Sequence, residues 1–154
     1  MKKVLFALVM IVALGLGATA QNNIGVRLGA GSGKNAEISW QHNLGGANRL
    51  EVDFGWAGHE HWAYYNLSGV YQWCGTITGP LGWYAGLGAN LGMYSWNNGH
   101  NSDFGVALGG QLGIELNISN FPLQFTLDAR PMWNFLGDNA GFGWGAALGI
   151  RFKL

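Results

Sequence analysis

Two polar stretches of the sequence contain residue types that bind metals. His59 and His61 flank Glu60, and His100 lies three positions before Asp103. Imidazole nitrogens and carboxylate oxygens are both zinc ligands, so two neighbouring loops could together supply a metal site. Histidine is also common in solvated loops without any ligand role. Solvated loops are therefore our interpretation of the four candidate ligands His59, His61, His100 and Asp103. We expect no bound metal and no cofactor.

A second possible chemistry is acyl transfer by a serine and a histidine. Ser95 or Ser102 together with His100 supplies the residue types of a nucleophile and its general base. All three lie in or beside a segment rich in Asn and Gly, and such a segment does not hold a nucleophile and a base in a fixed geometry. We therefore predict that the chain is not an enzyme, with a lipid-modifying activity as the alternative.

The composition separates the chain from soluble globular proteins. Charged residues make up 10% and hydrophobic residues 49% of the sequence, whereas soluble domains contain roughly 25% charged residues. Eight Lys and Arg balance eight Asp and Glu, so no net positive field attracts nucleic acid. The single Cys74 excludes an intramolecular disulfide framework and a cysteine-rich zinc site.

The first 20 residues have the pattern of a cleavable signal peptide. Lys2 and Lys3 form a positively charged start, residues 4–17 are uncharged and mostly apolar, and Ala18 and Ala20 give an A-x-A cleavage site. A membrane anchor would need a longer apolar run and a flanking stop signal. We therefore predict export through the Sec pathway and a mature domain of residues 21–154.

Beyond residue 20 the dominant pattern is an alternation of apolar and polar residues with a period of two. In residues 103–118 apolar side chains occupy the even positions and polar or small residues the odd ones, with Gly110 as the break. Segments rich in Gly, Asn and Pro separate further stretches of this kind, which together predict a meander of eight strands. The predicted strands are residues 22–30, 36–42, 49–57, 62–74, 81–94, 103–118, 123–133 and 141–154.

The apolar faces of the predicted strands indicate which side points outward. None of the positions on these faces is occupied by a charged residue, and many are occupied by Trp, Phe or Leu. The interior of an eight-stranded barrel is only just wide enough for side chains to fill, so these bulky residues must point out. Apolar outside and polar inside is typical of a barrel in lipid. The pattern predicts an all-β, eight-stranded antiparallel up-and-down transmembrane β-barrel, with a soluble lipocalin-like barrel as the alternative.

The signal peptide, the alternating strands and the closing segment of residues 143–154 resemble the small eight-stranded outer-membrane barrel family of the OmpA-barrel or OmpX type. In that family a final strand ending in an aromatic residue is the signal read by the barrel-assembly machinery. Here the terminal residue is Leu154, with the aromatic Phe152 two positions before it, so the chain departs from the family pattern by ending in leucine. The resemblance implies a monomer in the outer membrane of a Gram-negative bacterium, in contact with outer-membrane lipids and lipopolysaccharide.

The polar faces of the strands carry balanced charges. A narrow lumen makes unpaired charges costly, so these residues predict either an ion-selective path or a neutral network that closes the lumen. Because the charges cancel, we predict a closed lumen with little free volume and Asp128 beside Arg130 within it. The predicted function is structural or surface-interacting, through loops that contact lipopolysaccharide, an envelope protein or a host surface; a narrow channel for small solutes is the alternative. The lumen charges are Arg27, Arg49, Arg130, Arg151 and Lys153 against Glu37, Glu51, Asp53, Glu115 and Asp128.

Overall fold

The computed structural model describes residues 21–31, 36–59, 62–96, 102–136 and 140–154. The predicted signal peptide, residues 1–20, lies outside this part of the chain. No helix among the described residues is long and apolar enough to cross a membrane. The described residues form eight strands: β1 (Asn22–Gly31), β2 (Ala36–Gly45), β3 (Asn48–His59), β4 (Trp62–Thr78), β5 (Leu81–Trp96), β6 (Ser102–Asn117), β7 (Leu123–Asn134) and β8 (Gly141–Lys153).

The strands close into a single antiparallel barrel. Each strand pairs with its neighbours in the sequence, and β1 pairs with β8 to complete the ring. Closure is essential in hydrocarbon, because an open strand edge would leave backbone N–H and C=O groups without hydrogen-bond partners. The predicted eight-stranded up-and-down barrel is confirmed.

The main difference from the predicted boundaries is at the end of β4, which continues to Thr78 instead of ending near Cys74. We expected the glycine at position 75 to end the strand, but Gly75 lies within it. A Cβ atom there would lie 2.4 Å from Nε1 of Trp83, so the glycine leaves room for an indole ring on the paired strand. The chain turns at Gly79 instead, whose φ of 50° glycine adopts readily.

The two ends of the barrel differ in their connections. The turn end contains Asn22, Lys153 and the short connections from β2 to β3, from β4 to β5 and from β6 to β7. The loop end contains the other four connections, each of which includes residues outside the described ranges. The predicted surface loops are therefore all at the loop end.

The two faces of the sheet differ in polarity as the alternation indicates. Large apolar side chains cover the outside, and Leu112 and Leu87 are 64% and 63% exposed. The inward positions are polar and buried, and Ser39, Gln41 and Glu51 have no exposed surface. A soluble protein would have the opposite arrangement, since it buries apolar side chains and exposes polar ones. The outward apolar side chains, here called the apolar belt, include Val26, Ile38, Leu67, Leu87, Leu91, Leu108, Leu112, Leu127, Leu148 and Ile150.

Two adjacent residues of β6 test this arrangement. Leu108 is 51% exposed in the apolar belt, whereas Ala107 is buried and faces the lumen. We expect Leu108→Arg to lower the free energy of unfolding by about 2–4 kcal/mol, the usual cost of an arginine on the lipid face near the midplane. Ala107→Arg places the same charge in the polar interior and should lower it by less than half as much. Urea unfolding in lipid vesicles measures both values, and equal losses would contradict the sidedness.

Candidate functional site

A network of buried charges crosses the lumen from its middle to the turn end. Its hub is the carboxylate of Glu51, which is completely buried. This carboxylate accepts hydrogen bonds from Arg151 at 2.9 Å, Gln111 at 3.1 Å and Gln41 at 2.5 Å, and it forms an ion pair with Arg130. Four donors from four different strands, β2, β6, β7 and β8, therefore converge on one side chain of β3. Ionised carboxylates are acceptors at both oxygens, so a single glutamate can satisfy all four.

A second group of charges lies at the middle of the lumen. Arg27 forms ion pairs with both Glu37 and Asp128. The hydroxyl of Tyr84 donates to Asp128 at 2.9 Å. Arg130 forms an ion pair with Asp53 and lies 3.9 Å from the carboxylate of Glu37. These contacts join the group to the Glu51 hub.

Asp128 and Arg130 lie on the same lumen-facing side of β7, as predicted, but they form no ion pair with each other. Both residues face the lumen from β7, as their spacing requires, but each is bonded to other strands. Side chains two apart on a strand point in the same direction and run side by side, so lumen-facing charges on other strands are better placed to meet them. Arg27 reaches Asp128 from β1 in this way.

The third group extends the network toward the turn end. Arg49 donates to Glu115 at 2.8 Å and to Gln72 at 2.7 Å. Gln124 donates to Glu115 at 3.1 Å, and Gln72 donates to Gln111 at 2.6 Å, which links this group back to Glu51. The guanidinium of Arg49 also lies 5.2 Å from the centre of the Tyr84 ring, a favourable cation–π distance.

The structure therefore joins nine of the ten lumen charges singled out from the sequence into one network. Lys153, the remaining lumen charge, forms no ion pair within the described residues. Sequence analysis missed the uncharged members of the network. Their signal was an amide or hydroxyl at a lumen-facing position beside a charged one: Ser39, Gln41, Gln72, Tyr84, Gln111, Gln124 and Thr126.

The loop-end half of the lumen differs from the expected small free volume. It contains a cavity of about 890 Å³, which lies within the range of roughly 300–1,000 Å³ for small-molecule sites. The cavity exists because several inward positions there are glycines, and the large lumen side chains are concentrated at the turn end. Its glycine lining consists of Gly29, Gly92, Gly105, Gly143 and Gly145.

The candidate metal ligands are not brought together in the part of the chain described. His59 ends β3, and Glu60, His61 and His100 lie outside the described residues. Asp103 lies half-buried on the cavity wall. No group of three or more His, Cys, Asp or Glu side chains in the described ranges is placed to hold a metal ion.

The remaining sequence candidates are at opposite ends of the barrel. Ser95 and Ser102 are paired with each other across β5 and β6 at the loop end. At the turn end, Phe152 points outward and is paired with both Ile24 and Leu123. Leu154 follows the last strand, and its backbone N–H donates to the carbonyl of Asn22 at 2.8 Å.

The network predicts a large effect of removing its central charge. Glu51→Gln leaves Arg130 and Arg151 without one of their charged partners inside the barrel. Breaking a buried ion pair from one side costs about 3–5 kcal/mol, which we expect as the loss in free energy of unfolding. Asp103→Asn is the matched control, because Asp103 faces the lumen without an ion pair among the described residues. Denaturant unfolding in detergent should show a small change for the control; equal losses would mean that the network contributes no specific stability.

Three solved structures with a similar architecture are small outer-membrane barrels. The barrel is similar to Neisserial surface protein A (NspA), with a TM-score of 0.64 and 16% identity over 88% of this chain and 96% of that one. It is similar to the N-terminal β-barrel domain of Pseudomonas aeruginosa OprF, with a TM-score of 0.58 and 16% identity over 88% and 100%. For Ail, the attachment invasion locus protein of Yersinia pestis, the TM-score is 0.53 and the identity 15% over 88% and 97%.

No sequence-family model and no curated protein sequence matches the chain. The similarity to these three structures is therefore one of architecture. All three are small eight-stranded outer-membrane barrels, which this chain matches in strand number and closure. The chain has the fold of the small eight-stranded outer-membrane β-barrels.

Proposed function

We propose that this protein is a small outer-membrane barrel with a structural or surface-interaction role, and that it is neither a pore nor an enzyme. The observation that carries the proposal is the charge network around Glu51, which ties side chains of β1, β2, β3, β6, β7 and β8 together across the lumen. A porin needs an aqueous channel, and channels of that kind occur in barrels of 16 or so strands. Eight strands and a bonded interior favour a closed barrel.

The apolar belt supports the proposed location in a membrane. Its side chains are exposed around the whole barrel, and the sheet has no open edge that hydrocarbon would leave unpaired. The aromatic residues Trp56, Phe104, Trp133, Phe142 and Trp144 are exposed near the loop end, where they match the aromatic girdle of transmembrane barrels. We propose the outer membrane, with the turn end in the periplasm and the loop end at the cell surface, after Sec export and assembly by the barrel-assembly machinery.

The loop end is the proposed interaction surface. In this orientation its four connections face outward, and its aromatic girdle lies at the level of lipopolysaccharide head groups. The proposed partners are therefore outer-membrane lipids and lipopolysaccharide, with a second envelope protein or a host surface as the macromolecular partner. Ail is named as an attachment invasion locus protein and NspA as a surface protein. The closed sheet leaves no free strand edge for association, which favours a monomer.

Fractionation followed by single-channel recording tests the proposal. The full chain is expressed in a Gram-negative host, and the barrel should be recovered from the outer-membrane fraction with a β-sheet circular dichroism spectrum. Reconstituted in a planar bilayer, it should show no steady conductance, because the paired charges occupy the lumen. Recovery from the periplasm would refute the location, and a steady conductance of porin size would refute the closed lumen. Hydrolysis of added lipid A acyl chains, lost on His100→Ala, would instead show an enzyme.

A further inference from the structure

The cavity in the loop-end half of the lumen has polar groups that the charge network does not use. Tyr64, Tyr94 and Asp103 line it, and within the described residues neither hydroxyl and neither carboxylate oxygen has a hydrogen-bond partner or an ion pair. Asn90 donates to Ser68 at 2.8 Å, and both residues line the same cavity. These residues come from the three consecutive strands β4, β5 and β6.

The contrast with the network beneath is the key observation. From the floor of the cavity to the turn end, the lumen side chains bond to one another across the barrel. The wall groups contribute no bond across the lumen. Their hydrogen-bonding capacity faces an open space of about 890 Å³, within the roughly 300–1,000 Å³ of small-molecule sites. A group of unused donors and acceptors facing such a space has the composition of a binding site.

An aromatic pair forms part of the same wall. The rings of Tyr64 and Tyr94 lie with their centres 4.3 Å apart. Gly92 gives the Tyr64 ring room, because a Cβ atom there would make a tight contact of 3.1 Å with it. Tyrosine combines an apolar ring with a polar tip, so the pair offers an apolar surface beside two hydroxyl groups.

The charges around the cavity favour an uncharged ligand. Among its described lining residues, Arg27 and Arg130 balance Glu37 and Asp103. Both guanidinium groups and Glu37 are already held in ion pairs at the floor. An anion would approach Asp103, and a cation would approach the two arginines. A ligand with both hydrogen-bond donors and acceptors but no net charge meets neither obstacle.

We propose that the loop-end cavity is a binding site for a neutral saccharide of one to three sugar units. Sugar hydroxyls both donate and accept hydrogen bonds, which matches the Asp103 carboxylate, the Asn90 amide and the tyrosine hydroxyls. The apolar C–H face of a sugar ring matches the aromatic surface of Tyr64 and Tyr94. In the proposed orientation the cavity lies on the cell-surface side, so the sugar belongs either to lipopolysaccharide or to a glycan outside the cell.

Ligand-observed NMR on the purified barrel tests the proposal. The detergent is an octyl polyoxyethylene ether, because detergents with sugar head groups would compete for the site. Lactose, maltose and N-acetyllactosamine represent external glycans, and deacylated lipopolysaccharide represents the bacterial source. Saturation transfer to the sugar protons is expected in at least one arm, and the responding arm identifies the source. Tetramethylammonium and inorganic phosphate represent charged ligands; binding of either ion without any saccharide, or no binding at all, would overturn the proposal.

Single substitutions assign the binding to the cavity. Tyr94→Ala and Asp103→Asn should each weaken saccharide binding by about tenfold, the effect of roughly one good polar or aromatic contact. Tyr65→Ala is the matched control, because Tyr65 is adjacent to Tyr64 and points outward; it should change binding by less than about twofold. Circular dichroism checks that each variant folds. If Tyr94→Ala does not fold, Asp103→Asn, which preserves the shape of the side chain, still tests the site. Unchanged affinity in a folded cavity variant would place the sugar elsewhere and overturn the proposal.

Discussion

The interior of this barrel depends on the burial of Glu51. A carboxylate without exposed surface is tolerated only when charged and hydrogen-bonding partners replace water around it. Arg130, Arg151, Gln41 and Gln111 supply those partners from four strands. The bonds that satisfy one side chain thus hold the walls of the barrel at fixed separations. The outside imposes the complementary constraint, since lipid requires a closed sheet with apolar side chains.

The two halves of the lumen show two uses of the same architecture. In the turn-end half, long polar side chains meet across the barrel and fill it. In the loop-end half, glycines replace many of them and a cavity of about 890 Å³ remains, a volume in the roughly 300–1,000 Å³ range of small-molecule sites. A barrel of fixed strand number therefore obtains a closed base and an open vestibule simply through the size of its inward residues. We expect the bonded turn-end half to contribute stability, and we propose recognition for the loop-end half.

The fold was predictable from the sequence because a single pattern determines it. Alternation in segments such as β6 identifies a strand and separates its apolar face from its polar face. The apolar face must point outward, since so many bulky side chains do not fit inside a narrow barrel. The set of lumen charges was predictable for the same reason. Their partners were not: Asp128 meets Arg27 rather than Arg130, because pairing across the lumen depends on strand stagger, which alternation does not encode. The cavity was not predicted because alternation shows which residues face the lumen but not how the glycines and the large side chains divide between its two ends.

Cysteine accessibility tests most directly whether the lumen is sealed at Glu51 and open above it. In a Cys74→Ser background, Gly105→Cys places a thiol on the cavity wall, and Ser39→Cys places one beside Arg151 in the network. A water-soluble charged methanethiosulfonate is added to the folded barrel in detergent, where both ends of the lumen are accessible. We expect rapid labelling at position 105 and none at position 39 until the barrel is denatured. Comparable labelling of both thiols in the folded barrel would contradict a lumen closed by its charges.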